Sequence, residues 1–354
     1  MKEKLQKFKF WYLRHKKITI PVTILLILLL VGGGVYAYVH KNTARTNPNG
    51  TGKAAEPAIK YVPSPLTGVK TPEDLAERPV TGVMIENSPE ARPQSGLRDA
   101  GVVFEAIAEG GITRFLALYQ EDQPKLIGPV RSLRPYYLDW AMGFNSSVAH
   151  VGGSAEALRL ARNLSDFRDL DQFSGGSYFY RSTDRYAPHN VYTRSKLLDQ
   201  YSKSKGFKNS NFTSLARKKA KPAKSATAQT INIGYSSPLF GVKYEYNKKH
   251  NRYLRSMAGK PHLDRESQKQ LYADVVVVMK INWSVESDGH SLYGTTSGGD
   301  VVIFQDGLVT KGTWSKQNRT AQIKFEDGEG NEIKLNPGKT WFAALPKDRS
   351  LTYN

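Results

Sequence analysis

The chain has 354 residues, more than one average domain, so two folded units are the starting expectation. It contains no cysteine, which excludes disulfides, thiolate metal sites, a cysteine nucleophile and a lipid-modified cysteine. Its net charge of +19 points to polyanionic surroundings: nucleic acid, anionic lipid or anionic cell-wall polymer.

Residues 1–17 form a basic segment. Lys2, Lys4, Lys7, Lys9, Arg14, Lys16 and Lys17 are opposed only by Glu3. Residues 18–39 follow as an uncharged apolar run. As a helix this run spans roughly 33 Å, enough for a hydrocarbon core of about 30 Å. Pro21 falls in its first turn, where proline is tolerated. Trp11, Tyr12, Tyr36 and Tyr38 fit interfacial belts. The basic flank predicts a single pass with the N-terminus in the cytoplasm and the bulk of the chain extracytoplasmic. The competing reading is a cleaved signal peptide with Val35 and Ala37 as small residues before the cut; the run is longer than the ~7–15 residues of a usual signal core. Export disfavours nucleic acid as a partner.

Residues 40–60 are polar and rich in Asn, Gly, Thr and Pro, which predicts a flexible linker. Residues 61–204 alternate element types. Strands are expected at 80–85, 102–108 and 112–119, the last two as hairpin partners around Gly110-Gly111. Helices are expected at 134–144, in the run AEALRLARNL after Gly152-Gly153-Ser154, and at 193–204, with a short strand at 147–151. Residues 205–230 include an acid-free basic run, read as a linker or long exposed loop. From Ile231 the texture is strand-like, with Asp306-Gly307 as a strong hairpin signal. The expected fold class is therefore α+β: a single N-terminal transmembrane helix, a mixed α/β first domain and a β-rich second domain at 231–354.

The densest unusual chemistry lies between Arg78 and Arg134. Glu86, Asn87, Arg92, Glu105, Glu109, Arg114, Arg131 and Arg134 sit among apolar strand-like segments. Charge in such a setting is paired, exposed or functional, because unpaired buried charge is too costly to keep. Arg92, Arg114, Arg131 and Arg134, with Asn87 and His189, are candidate ligand-binding residues, since guanidinium offers a planar bidentate fork to phosphate or carboxylate. The alternative is that the arginines pair structurally with Glu86, Glu105 and Glu109. Glu105 and Glu109 are candidate catalytic carboxylates, on one face if the strand is regular. His150 is a third catalytic candidate, just before Gly152-Gly153-Ser154, where helix amides and a serine cap form an anion site that Glu156 opposes. The commoner outcome for such a histidine is a structural role. His189 lies on a Pro-punctuated loop near Arg181 and Asp184. No metalloprotease, phosphate-loop, nucleophile-elbow or dinucleotide motif is present, and no metal site or cofactor is specified.

The stretches PLTG, RPVTGVMIEN, ARPQSGL, VVFEAIAEGGITRFLALY, GPVRSLR and HVGGSAEA, then YLR, SGGDVVIFQDG, GTW and NPGKTW, resemble the YerB-like lipoprotein family of bacterial envelopes. The resemblance covers nearly all of residues 61–353. It implies a two-domain extracytoplasmic protein held at the membrane, and no established reaction. Family members are anchored through a lipidated cysteine, which this chain lacks. The leading expectation is a membrane-anchored envelope protein that binds an anionic cell-wall polymer or lipid-linked precursor, or an envelope protein partner. The alternative is an envelope hydrolase or transferase acting on a phosphorylated or glycan substrate. A third class is a structural scaffold. Whether the chain is an enzyme stays open at this point.

Overall fold

The computed structural model describes residues 2–15, 33, 36 and 59–354. Residues 1–58 form one unit, in which helix α1 spans Lys2–Arg14. The expected membrane span at 18–39 and the polar linker at 40–60 fall almost wholly outside the described residues.

Residues 59–354 form the other unit. Its first half holds β1 (Thr81–Glu86), β2 (Val102–Ile107), β3 (Thr113–Tyr119), α2 (Pro135–Met142), β4 (Ser147–His150), α3 (Ala155–Asn163), β5 (Arg168–Asp171) and α4 (Ser195–Ser204). The second half adds β6 (Thr230–Gly234), β7 (Gly241–Asn247), β8 (Arg252–Met257), β9 (Val275–Ile281), β10 (Gly298–Gln305), β11 (Leu308–Ser315), β12 (Lys324–Asp327), β13 (Thr340–Pro346) and β14 (Leu351–Tyr353).

One ten-stranded sheet draws on both halves, in the order β12-β11-β10-β9-β13-β2-β3-β1-β4-β5. Strand β13 is parallel to β9 on one side and to β2 on the other, with Phe342 opposite both Val277 and Phe104. The run Val275–Val278 explains its central place: these side chains are all buried, as a strand covered on both faces requires. Strands β2 and β3 pair antiparallel, as expected, with Glu105 opposite Phe115.

Alternate residues feed two cores. Phe104, Leu116, Leu118, Val277 and Phe342 face a layer containing Tyr137, Trp140 and Met142 of α2 and Ala157 and Leu160 of α3. Val103, Phe115, Ala117, Val276 and Trp341 face Ile231, Val242, Tyr244 and Tyr253 of a second, six-stranded sheet that includes β6, β7, β8 and β14. Helix α4 joins this second core through Leu198 and Tyr201, beside Ala149 and Leu170. Helix α2 starts at Pro135, which presets the helical φ and holds Arg134 extended.

The fold class expected from sequence is therefore corrected. The described residues are mostly β with few and short helices, where an α+β arrangement with a mixed α/β first domain was expected. Among them no helix is long and apolar enough to cross a membrane, so the transmembrane helix in that expectation has no support here. Neither half of the chain shows the class by itself, because the parallel pairing of β13 with β2 joins residues far apart and leaves no local signal.

The basic segment expected as a linker is irregular, and it is pinned. Arg217 donates to Asn336 O (2.9 Å) and Leu66 O (2.7 Å), and burial brings its guanidinium down to about 10. Asp306 is the hub. Its carboxylate accepts from Lys218 Nζ, from Lys221 N (3.0 Å), and from Asn251 Nδ2 (2.8 Å) and Asn336 Nδ2 (2.7 Å). Asp306 and Gly307 both have positive φ, 60° and 78°, and form the two-residue turn between β10 and β11. Replacing Asp306 with Ala strains that turn and strands four donors, and costs about 3 kcal/mol in chemical denaturation. Asp306→Asn tolerates positive φ and keeps one acceptor, and costs about 1–2 kcal/mol. Trypsin cuts at Arg217–Lys221 faster in Asp306→Ala than in wild type. Unchanged stability and unchanged cutting would mean that this carboxylate does not hold the segment.

Candidate functional site

Strands β1, β2, β4 and β5 run in the same direction, and their carboxyl ends carry or precede most of the candidate residues. In open α/β sheets ligands bind at this edge, because strands end side by side there and their loops diverge; here the sheet is mixed, and these four of its strands share that direction.

Glu105 lies inside, between the two sheets. It and Arg255 of β8 are each 1% exposed at the side chain, and Arg255 Nη2 donates to Glu105 Oε2 at 2.8 Å. Arg255 also donates to Tyr244 Oη (2.8 Å) and lies over the Trp341 ring at 4.3 Å. Its Nε donates to His262 Nδ1 (3.1 Å), which puts the ring proton on Nε2, and Nε2 donates to Gln94 Oε1 (2.8 Å). Gln94 Nε2 donates to Asn87 Oδ1 (2.9 Å), Asn87 Nδ2 to Thr113 Oγ1 (2.6 Å), and Thr113 Oγ1 back to Glu105 Oε1 (2.9 Å). Six buried side chains thus form a closed ring of hydrogen bonds. Arg92 caps it from outside: it donates to Asn87 Oδ1 (3.0 Å), Asn87 O (2.9 Å) and Leu239 O (2.9 Å), over the Phe240 ring at 5.0 Å.

Glu109 lies on the opposite side of the sheet. Strand β2 ends at Ile107, and Glu109 opens a short turn at Glu109–Gly111. Adjacent residues of β3 settle the geometry. Thr113 meets Glu105, whereas Arg114 meets Glu109 (3.3 Å), and neighbouring side chains of a strand project to opposite faces. The two carboxylates therefore do not share a face. Arg134 grips Glu109 with Nε and with Nη2 (2.8 Å), and Arg114 anchors to Ser132 O (2.9 Å). Burial pushes the Glu109 carboxyl up, but the bond from Arg134 and the charges of Arg114 and Arg134 outweigh it and hold the group below the usual carboxylate range. Glu109 is 32% exposed and Arg134 9% exposed at the side chain. His290 Nε2 lies 3.9 Å from Glu109, and its Nδ1 2.8 Å from Asp288.

A cleft of about 340 Å³ opens here, lined by Arg134, Ser154, Glu156, Arg159, Asp288 and His290 among others. Ser154 caps α3, accepting from Ala157 N at 3.3 Å. The first turn of α3 and Arg134 therefore line the same opening.

The remaining candidates stand apart. Arg131 and His189 meet at Glu86 Oε1, at 3.5 and 3.0 Å. Glu86 Oε2 is buried without a hydrogen-bond partner among the described residues. His150 is fully buried, with Nε2 2.8 Å from Asp169 Oδ1 and Nδ1 2.8 Å from Gly152 O, so it anchors the turn that enters α3. The four arginines do not converge: Arg92 binds Asn87, Arg131 binds Glu86, and Arg114 and Arg134 share Glu109. Sequence reasoning passed over Arg255, His262, Gln94 and His290. A signal for Arg255 existed, since Tyr253, Arg255 and Met257 alternate along a strand and share one buried face.

Residues 66–208 match the family model "Protein of unknown function (DUF3048) N-terminal domain", and residues 231–342 match "Protein of unknown function (DUF3048) C-terminal domain". The chain is 35% identical over 299 residues to "Putative lipoprotein YerB" of Bacillus subtilis, covering 83% of this chain and 89% of that protein. It is similar to the crystal structure of YerB protein from Bacillus subtilis, with a TM-score of 0.74 and 32% identity over 82% of this chain and 99% of that one. The chain belongs to this DUF3048, YerB-like family.

Two outcomes separate scaffold from cleft. Glu105→Gln leaves Arg255 buried and unneutralised, and costs about 3–5 kcal/mol in urea denaturation. Glu109→Gln costs less, about 1–2 kcal/mol, because Glu109 is part-exposed, the amide oxygen still accepts, and Arg114 and Arg134 keep the carbonyls of Ser132 and Leu133. Equal costs would deny the difference between the two carboxylates. The ring also makes stability depend on pH. Burial, with the charges of Arg255 and Arg92, holds His262 well below its ordinary range. The folded state then stays neutral there while the unfolded chain takes up a proton below about 6.5, so stability falls as pH drops through that value. His262→Gln can accept from Arg255 and donate to Gln94, and its thermal melts lose less stability than wild type between pH 7 and 5. An identical slope would show that His262 is not the source.

Proposed function

We propose that this chain is a membrane-associated protein of the bacterial cell envelope that binds an anionic envelope ligand in the cleft beside α3. The envelope reading rests on family membership and on the relative named as a lipoprotein. The binding reading rests on one observation: Arg134, Arg159, His290 and the first turn of α3 line one opening at the carboxyl edge of the sheet. Glu156, Glu286 and Asp288 line it too. A simple anion is therefore a poor match, and a ligand with phosphate or carboxylate beside hydroxyl or ammonium groups is a better one. Cell-wall polymers and lipid-linked precursors have this chemistry.

Arginine at 134 favours this reading over diffuse charge. It is held in place by Glu109 and by its own bond to Leu133 O (2.7 Å), so its fork is oriented before any ligand arrives. Calorimetry of the full chain with glycerol-phosphate oligomers tests the proposal. Arg134→Lys keeps the charge, loses the fork and weakens binding about tenfold, which is about 1.4 kcal/mol. Arg159→Ala weakens it by a smaller factor, since Arg159 is exposed and already paired with Glu156. Equal affinities in all three proteins would remove the cleft from the reading. Release of a cleaved product that Glu109→Gln abolishes would make the cleft an active site instead.

A further inference from the structure

The edge of the large sheet opposite the cleft carries a cluster of lysines. Strands β9, β13 and β2 run parallel, and β10 runs back against β9 with Phe304 opposite Val276. The Asp306-Gly307 turn therefore lies beyond the start of β9, at the amino edge of the parallel strands. Asp306 gathers two segments there. It accepts from Lys218 Nζ and Lys221 N of the basic segment and from Asn251 of the turn after β7, and Lys248 of that turn donates to Lys224 O (2.7 Å). Lys219, Lys221 and Lys224 are thereby brought beside Lys248 and Lys249. All five are exposed, and among the described residues none of them is in an ion pair. The carboxylate that gathers them is 4% exposed and already holds four donors. On the neighbouring strand Glu245 is matched by Lys243 (2.9 Å), and farther along this edge Asp122 is matched by Lys339 (3.5 Å).

Two further features belong to this edge. Leu308, directly after the turn, is 41% exposed, so an apolar side chain stands beside the lysines. The chain also enters the 59–354 unit here. The side chains of Leu66 and Thr67 crowd Gly101, just before β2, and Gly338 N donates to Thr67 O (2.9 Å) just before β13. Arg217 of the basic segment donates to Leu66 O (2.7 Å), which ties the entering chain to the segment that carries the lysines.

We propose that this amino edge docks on an anionic lipid bilayer, with the five lysines at the head groups and Leu308 at the boundary, so that the cleft opens away from the membrane. The proposal rests on the membrane association proposed above and adds the face that meets the membrane and the charge it selects. Exposed ammonium groups without carboxylates of their own are drawn to a negative surface. Lysine is a point charge that reads no planar geometry, and an exposed leucine adds apolar burial. Both suit a bilayer better than a phosphate polymer, whose groups an arginine fork would read. An anchor on the N-terminal side brings the edge where the chain enters to the bilayer first and raises the local concentration of head groups around it.

The chain has no cysteine, so one introduced thiol takes a fluorescent label at a single place. The full chain is labelled with NBD at Ala220→Cys, between two of the lysines, or at Thr183→Cys, in the loop whose His189 meets Glu86 at the carboxyl end of β1. Both positions are exposed. Each protein is floated with vesicles of phosphatidylcholine, or of phosphatidylcholine and phosphatidylglycerol in equal parts, that contain a head-group quencher. The label at 220 is quenched about threefold on the anionic vesicles and not on the neutral ones, and the label at 183 on neither. High salt removes the quenching at 220, and so does Lys219→Gln combined with Lys221→Gln and Lys224→Gln, which leaves the backbone bond from residue 221 to Asp306 in place. Chain that floats with both kinds of vesicle but shows equal quenching at 220 on each, or none, keeps the membrane association and overturns this docking face. Quenching at 183 as strong as at 220, or quenching at 220 that survives both salt and the triple variant, overturns it too. So does a label at 220 that responds to glycerol-phosphate oligomers and not to vesicles. Chain that floats with neither kind of vesicle overturns the membrane association along with the docking face.

Discussion

The buried ion pair between Glu105 and Arg255 is the constraint on which the rest of this fold turns. Its partners are 150 residues apart and come from the two stacked sheets. Such a pair adds little net stability, because desolvating both charges offsets most of their attraction. Its effect is on alternatives. Any arrangement that separates the sheets, or slides one over the other, leaves a buried charge unneutralised and opens a closed hydrogen-bond ring through His262, Gln94, Asn87 and Thr113. Hydrophobic burial holds the sheets together, and the ring sets how they meet.

That ring also explains why two glutamates four residues apart have different fates. Glu105 sits in a regular strand and is committed to the interior. Glu109 comes after β2 has ended, where the chain turns through Gly110 and Gly111 at positive φ, 60° and 75°. The turn carries Glu109 to the helical side, where Arg114 and Arg134 neutralise it and solvent still reaches it. A group held ionised by two guanidiniums is a poor proton donor and a good positioning element for the arginine it grips.

Much of the local structure was legible. Apolar runs bounded by turn residues marked β1, β2 and β3 within about two residues, Ser154 marked the start of α3, and Asp306-Gly307 marked the β10–β11 turn. The importance of the segment from Arg78 to Arg134 was legible too, because charge among strand residues demands a partner. The identity of each partner was not. Arg255 finds Glu105, and Asp306 finds Lys218 and Asn336, through contacts that no spacing encodes. The basic segment looked like a linker because it is acid-free and rich in Lys and Ala, and it is held instead by the Asp306 carboxylate, by bonds from Arg217 to Asn336 O and Leu66 O, and by burial of Leu215 and Ala228. A composition rule sees the missing core and cannot see the hub.

The carboxyl edge of the large sheet gains its character from the way β4 ends. His150 is locked between Asp169 and the carbonyl of Gly152, which fixes the turn that Gly152-Gly153-Ser154 makes into α3. With that turn fixed, the positive end of the helix faces the space beside Arg134. Leu133 lies next to Gly153 in a parallel bridge, so the segment that carries Arg131 and Arg134 is laid against the same turn. A histidine that touches no ligand can therefore decide where the arginine and the helix amides point. Acidic residues on the far wall then keep the opening from being a general anion sink, since an anion without hydrogen-bond donors of its own meets repulsion there. For the ligand proposed above, the carboxylates would set selectivity as much as the arginines do.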